Sequence, residues 1–152
     1  AQRVEFYAFG GSAPVAMDGQ HKFFRLKISS SYISDPHLQF MSANSLGKDD
    51  VVVAISQSGT TAALIESIKI VRKNGAKVIG IMPGDTPLAN ICDFPLTINV
   101  GSNNRISKPV TSRIAYTAVI DVLTMGVAQL KPEAQDHLYN IADSQRSLKV
   151  DN

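Results

Sequence analysis

The sequence predicts an α/β fold, a three-layer αβα sandwich built on a five-stranded parallel sheet. Three observations lead there. Strand-like and helix-like segments alternate along most of the chain, and the connections between them are short. The run Val51-Val52-Val53-Ala54-Ile55 is apolar without a break, as expected of a strand covered on both faces.

Val4 to Phe9 reads as the first strand and Ser12 to about Lys27 as the helix after it. Ile28 to Ile33, rich in β-branched and hydroxyl residues, is the second strand. Asp35-Pro36 opens a short helix to about Asn44, proline suiting the first turn. Val51 to Ile55 is the third strand. Thr61 to Asn74 is a helix with Leu64, Ile65, Ile68 and Val71 on one face and Gly75 as its stop. Lys77 to Met82 is the fourth strand, Asp85-Thr86-Pro87 looks like the cap of a short helix, and Phe94 to Val100 is the fifth strand. Two helices close the chain, Val110 to Gln129 and Pro132 to Val150. The stretch Ile114 to Leu130 is apolar nearly all round, so it is either buried within its own domain or covered on its second side by another subunit. The second option predicts a homodimer. The last helix carries one stripe, Ala134, Leu138, Ile141 and Leu148, broken by Gln145, and packs on one side only.

Bulk properties exclude several function classes. With 152 residues the chain has the length of one domain. A net charge of +2, without runs of like charge, argues against nucleic acid or an acidic membrane as partner of this segment. Cys92 is the sole cysteine, which excludes an internal disulfide and suits a reducing cytoplasm. The start has no signal-peptide pattern. Asp121 and Gln129 make the apolar stretch 114–130 a poor membrane span. The chain lacks a leading methionine and enters a strand almost at once, which reads as a domain excised from a longer protein.

Two loops hold unusual chemistry where strands end and helices begin. The first, "FGGSAP" (9–14), has Gly10 and Gly11 for a tight turn and close approach, and Ser12 at the helix start. The second, "SQSGTT" (56–61), offers the hydroxyls of Ser56, Ser58, Thr60 and Thr61, the amide of Gln57, and Gly59 to let the loop curl. In open parallel sheets ligands sit beyond the carboxyl ends of the strands. A helix start adds unpaired amides and partial positive charge, so the pattern suits an anion such as phosphate. No lysine or arginine occurs from residue 49 to 68, which excludes the P-loop pattern and so argues against nucleotide hydrolysis. Neutral donors at ~1.5–3 kcal/mol per charge-assisted bond, less entropy costs, imply affinity of micromolar order and ready release. The plainer reading is that such hydroxyls only start helices. Two Gly/Ser loops at matching strand ends favour a site.

Other chemistry fits less well. Neither Ser12 nor Ser58 completes G-x-S-x-G, so a hydrolase elbow is missing. Ala8 and Ala13 break a dinucleotide fingerprint, although Asp35 stands where a ribose-binding acid would. His21, His37 and His137 show no metal spacing with one another or with Cys92, which reads as a small buried hydrophobe.

"SQSGTT" after an apolar strand, with a Gly-x-Ser loop upstream, resembles the sugar isomerase (SIS) domain. "SDPHLQFMSA" (34–43) and "SRIAYTAVIDVL" (112–123) are similar to the effector domain of RpiR-family transcription regulators. "HKFFRLKI" (21–28) and "SKPVTSRIA" (107–115) look like the regulators of hexose catabolism within that family. The resemblance implies a domain that binds a phosphorylated sugar or sugar acid, for those regulators 2-keto-3-deoxy-6-phosphogluconate, and needs no cofactor. It implies that Ser56, Gln57, Ser58 and Thr61 cradle the phosphate, and that Ser12, beside Gly11, meets the sugar. Ala8 departs from the glycine common in the family, which bears on loop packing. A keto-acid ligand also needs a partner for its carboxylate, for which Lys108 and Arg113 are the candidates. The helix-turn-helix that would bind DNA is N-terminal in such regulators and lies outside this sequence.

SIS domains also serve isomerases, which require a general base. The two loops contain no acid or base, Glu66 should lie too far into its helix, and Asp85 and His37 are the remaining loop candidates. The expectation is a ligand sensor, with a sugar-phosphate isomerase as the alternative.

Overall fold

A computed structural model describes residues 1–101 and 107–146. The order of elements is β1 (Val4–Ala8), α1 (Ala13–Arg25), β2 (Ser30–Ile33), α2 (Pro36–Ser45), β3 (Val51–Ile55), α3 (Ala62–Lys73), β4 (Lys77–Met82), β5 (Phe94–Thr97), α4 (Ser107–Leu130) and α5 (Pro132–Arg146). Short 3₁₀ turns at Gly10–Ser12 and Ala89–Ile91 precede α1 and β5.

The five strands are all parallel, in the order β2-β1-β3-β4-β5. Strand order therefore reverses beside β1, whose neighbours are β2 on one side and β3 on the other. Alternation within each strand sorts two cores. On one face Tyr7, Val52, Ala54, Val78 and Met82 pack with Leu64, Ile68 and Val71 of α3 and Ala43 of α2. On the other, Phe6, Val53, Ile55 and Ile81 pack with Val15 and Phe23 of α1 and Tyr116 and Ile120 of α4. The rings of Phe6 and Phe23 meet edge to face with centroids 5.3 Å apart.

The expected elements form with shifted ends. β1 stops at Ala8, and β2 begins at Ser30, because α1 ends in a tight turn in which Ile28 N–H donates to Phe23 O and Lys27 takes a left-handed φ of 58°. β5 ends at Thr97, three residues early. The cap expected at Asp85-Thr86-Pro87 belongs to Thr86 alone: its Oγ1 accepts from Ala89 N–H at 3.3 Å, while Asp85 sits at a left-handed φ of 54°. Asp35 caps α2 as expected of its place, accepting from Leu38 N–H at 2.9 Å. The end of the final helix beyond Arg146, including Leu148, lies outside the described residues, as does the side chain of Gln145.

Helix α4 decides how the domain meets its surroundings. Ser112, Tyr116 and Ile120 face the sheet and are buried. Ile114, Val122 and Met125, on the opposite side, are 67%, 71% and 60% exposed, so the helix is not fully enclosed by its own chain. By length and composition alone Pro109–Leu130 could cross a bilayer. Its apolarity has another physical reason in this fold, since one face covers the sheet.

Candidate functional site

Because β1 and β3 are hydrogen-bonded neighbours, the loops that follow them lie side by side at the carboxyl edge of the sheet, at the point where strand order reverses. The topology thus brings together "FGGSAP" and "SQSGTT", which are far apart in sequence. Asp35, His37 and Asp85 follow β2 and β4 at the same edge and are exposed.

The β3–α3 loop is tightly braced. Ser56 is buried, its N–H donates to Ile81 O at 3.0 Å, and its Oγ accepts from Gly59 N–H at 3.0 Å. Ser58 is exposed, and its Oγ accepts from Thr60 N–H at 3.2 Å. Gly59 has φ +63°, and a Cβ there would stand 2.3 Å from Thr86 Oγ1, so no other residue fits. Leu88 N–H donates to Gly59 O at 3.0 Å, which ties the loop to the segment after β4. Gln57 reaches across to α4, its Nε2 donating to Pro109 O at 2.8 Å. Tyr116 of α4 directs its hydroxyl at Ser56 O, at a long 3.5 Å. Burial pushes that phenol up to about 12, so it stays a neutral donor.

These bonds refine the reading of the hydroxyls. Ser56 and Ser58 shape the loop as acceptors, and each retains its own O–H to donate. Thr61 precedes α3 with extended ψ and makes no side-chain cap. The plainer reading, in which the threonine simply starts the helix, therefore fails at that residue. Among the described residues Thr61 gives the first amides of α3 no side-chain cap, at the positive end of the helix.

The β1–α1 loop is held more sparingly. Ser12 N–H donates to Phe9 O at 3.1 Å, and the Ser12 side chain, though buried, makes no capping bond. Gly10 takes φ +50°, and around Gly10 and Gly11 a Cβ would meet nothing within 4 Å. That open space allows a ligand to approach the backbone.

The remaining candidates separate from the loops. Arg113 lines a groove on the outer side of α4 with Val110, Ile114, Thr117, Ala118 and Asp121. The Lys108 side chain lies outside the described residues. Glu66 pairs with Lys69 at 2.7 Å on the exposed face of α3. Asp35 is occupied as a cap. Cys92 is half-buried, and burial, then the neighbouring Asp93, push its thiol up to about 11, which leaves it unreactive at neutral pH.

Sequence reasoning missed the buttress of Thr86 and Leu88 and the reach of Gln57 to Pro109, since both join segments distant along the chain. It also missed Gln39, fully buried under the edge, whose Nε2 donates to Ile33 O at 2.6 Å and whose Oε1 has no partner. A glutamine amid "DPHLQFM" gives no periodic signal of such a role.

Fold and site define an α/β domain with a donor-rich loop and an open glycine loop side by side at the switch point of a parallel sheet. The chain belongs to the SIS domain family, whose profile matches residues 1–126. It is 38% identical over 145 residues to the HTH-type transcriptional regulator HexR of Pseudomonas aeruginosa, covering 95% of this chain and 51% of that regulator. The chain thus spans about half the length of that relative. The solved structure of NanR of Vibrio vulnificus complexed with ManNAc-6P superposes with a TM-score of 0.89 at 21% identity, over 99% of this chain and 58% of that one. The sugar isomerase domain of an RpiR transcription factor of Sphaerobacter thermophilus gives a TM-score of 0.70 at 19% identity, over 94% and 79%. The two superpositions speak for the fold; the profile and the HexR identity speak for the family.

Proposed function

We propose that this domain senses a phosphorylated sugar acid, with 2-keto-3-deoxy-6-phosphogluconate as the leading ligand, and reports it to a DNA-binding domain of a longer cytoplasmic transcription regulator. The observation that carries the reading is the pair of adjacent loops at the switch point, one braced and rich in neutral donors, the other open. In this reading Ser56, Gln57, Ser58, Gly59, Thr60 and Thr61 enclose the phosphate with the first amides of α3, while Gly11 and Ser12 meet the sugar. The ligand carboxylate falls to a cation at the start of α4. Lys108 is the first candidate, because Arg113 opens onto the outer groove. The identity to HexR supports a regulator, and the loops supply no acid or base for turnover.

The signal would leave through α4. Gln57 and Tyr116 join the phosphate loop to that helix, and the exposed apolar face of α4 would be covered in a homodimer. A ligand that binds two dimer arrangements unequally shifts their populations and repositions the attached DNA-binding domains.

Calorimetry with 2-keto-3-deoxy-6-phosphogluconate tests the site, with binding of micromolar order expected. Undiminished binding by the double variant Ser56→Ala, Ser58→Ala would remove the phosphate assignment. Hexose and pentose phosphates should pass through the protein unchanged. Turnover would favour the isomerase, with Asp85 or His37 as base.

A further inference from the structure

Helix α2 has its polarity inverted. Leu38, Phe40 and Met41 are exposed, Gln39 and Ala43 are its buried residues, and Ser42 turns inward to donate to Glu5. A helix that covers a sheet ordinarily turns an apolar stripe to the core, yet here the group delivered beneath the edge is an amide. The Gln39 side chain reaches the carboxyl ends of two strands at once. Its Nε2 donates to Ile33 O, at the end of β2, at 2.6 Å, and to Ala8 O, at the end of β1, at a long 3.5 Å. The ladder between these strands finishes at the pair Tyr7 and Ile33, so the amide takes over just past the last backbone rung. The two carbonyls fix its orientation, since turning the amide over would set oxygen against oxygen. Among the described residues no protein donor meets Oε1, so this side chain ties α2 to the strand ends through Nε2 alone.

We propose that Gln39 is a positioning residue for the sugar end of the ligand: it sets the root of the β1–α1 loop, and through that root the place of Gly11 and Ser12. The inference rests on the sugar-phosphate reading above and deepens it by dividing the site into two separately supported halves. The β1–α1 loop departs from Ala8, so its direction follows the strand end that Gln39 holds. The β3–α3 loop takes its shape from Ser56, Thr86 and Leu88 instead, while Gln39 stands on the β2 side of β1. Loss of the amide is therefore felt at the sugar and not at the phosphate. A loop free at its tip but fixed at its root keeps its donors within reach of a ligand and still adapts to it.

Calorimetry and amide hydrogen exchange test the assignment. Gln39→Met keeps the bulk of the side chain and removes its donor. Affinity for 2-keto-3-deoxy-6-phosphogluconate should fall about tenfold, while affinity for inorganic phosphate stays within about twofold. Exchange at residues 10–12 should quicken about fivefold, with residues 56–61 and the circular dichroism unchanged. Gln39→Glu is a second variant of the same shape. Its ionised carboxylate faces Ile33 O and should give the same split between the two ligands. That loss, relative to the wild type, should shrink as pH falls and protonation returns a donor. Equal loss of both ligands, or exchange quickened alike in both loops, would mark Gln39 as a general support of the sheet and overturn the proposal. Unchanged sugar-phosphate binding in both variants would overturn it too, while sparing the sensing function. A wild-type protein that binds no sugar phosphate would overturn that function and this role together.

Discussion

In the β3–α3 loop Ser56 and Ser58 each accept an amide of the loop itself, Thr86 and Leu88 hold Gly59, and Gln57 is anchored on α4. In the β1–α1 loop the comparable restraints among the described residues are two backbone bonds, from Ser12 N–H to Phe9 O and from Ala13 N–H to Gly10 O, and both glycines face open space. The two loops use similar residues at neighbouring strand ends, and differ in how much of their shape is set before a ligand arrives. A phosphate group is the same in every sugar phosphate, so a rigid cradle gains affinity by avoiding ordering costs. The sugar end varies, and under the proposed assignment a loosely held loop there would adapt.

The sharpest test of this contrast substitutes the two glycines. Gly59→Ala combines a left-handed φ with collision against Thr86 and should cost about 3 kcal/mol in urea unfolding. Gly10→Ala has strain of similar kind and no collision, so it should cost about 1 kcal/mol. Equal losses would show that the braced loop is not braced by that contact.

The serines come next. Ser56→Ala leaves the buried Gly59 N–H unpaired and should lower stability by about 2 kcal/mol as well as weakening ligand binding. Ser12→Ala breaks no capping bond, so it should change stability by less than about 0.5 kcal/mol while calorimetric affinity falls roughly tenfold. If Ser12→Ala destabilised as much as Ser56→Ala, the first loop would have a hidden brace.

The last test is a control away from both loops. Burial would raise the Asp93 carboxyl, but Val78 N–H at 3.0 Å and Lys77 outweigh burial and hold it below its ordinary value. A carboxylate depressed in the folded state adds stability that is present above its unfolded value and lost as pH falls through the folded one. Asp93→Asn should therefore remove about 1 kcal/mol at neutral pH, flatten the acid limb of the stability profile, and leave sugar-phosphate binding unchanged. Chemical denaturation from pH 7 down to about 3 would show it.

Much of the molecule was legible in its sequence because the signals are local. The unbroken run Val51–Ile55, the stripe Leu64, Ile68 and Val71, and the hydroxyl-rich loop between them each announce their own structure. Strand order is not local, and with it the adjacency of Ser12 and Ser56 could be expected from the fold class but not read from spacing. Thr86 shows the limit most plainly. Its letters, Asp-Thr-Pro, indicate a cap, and the structure uses it as one, yet its second contact, against Gly59, depends on β3 and β4 being neighbours. The ends of β2 and β5 were misplaced because side-chain patterning does not reveal where ladder pairing stops.

The parallel pairing of β1 with β3 has a temporal consequence. Val4 lies opposite Val51, so the edge that gathers the two loops exists only after a long stretch of chain has been closed into register. Such non-local contacts form late, after their loop-closure entropy has been met. A ligand cannot recognise a half-made version of this edge. A ligand that binds only the finished domain would keep it from unfolding without helping it to fold. Under the proposed function, occupancy of the site would thus report on the integrity of the sheet as well as on the concentration of a metabolite.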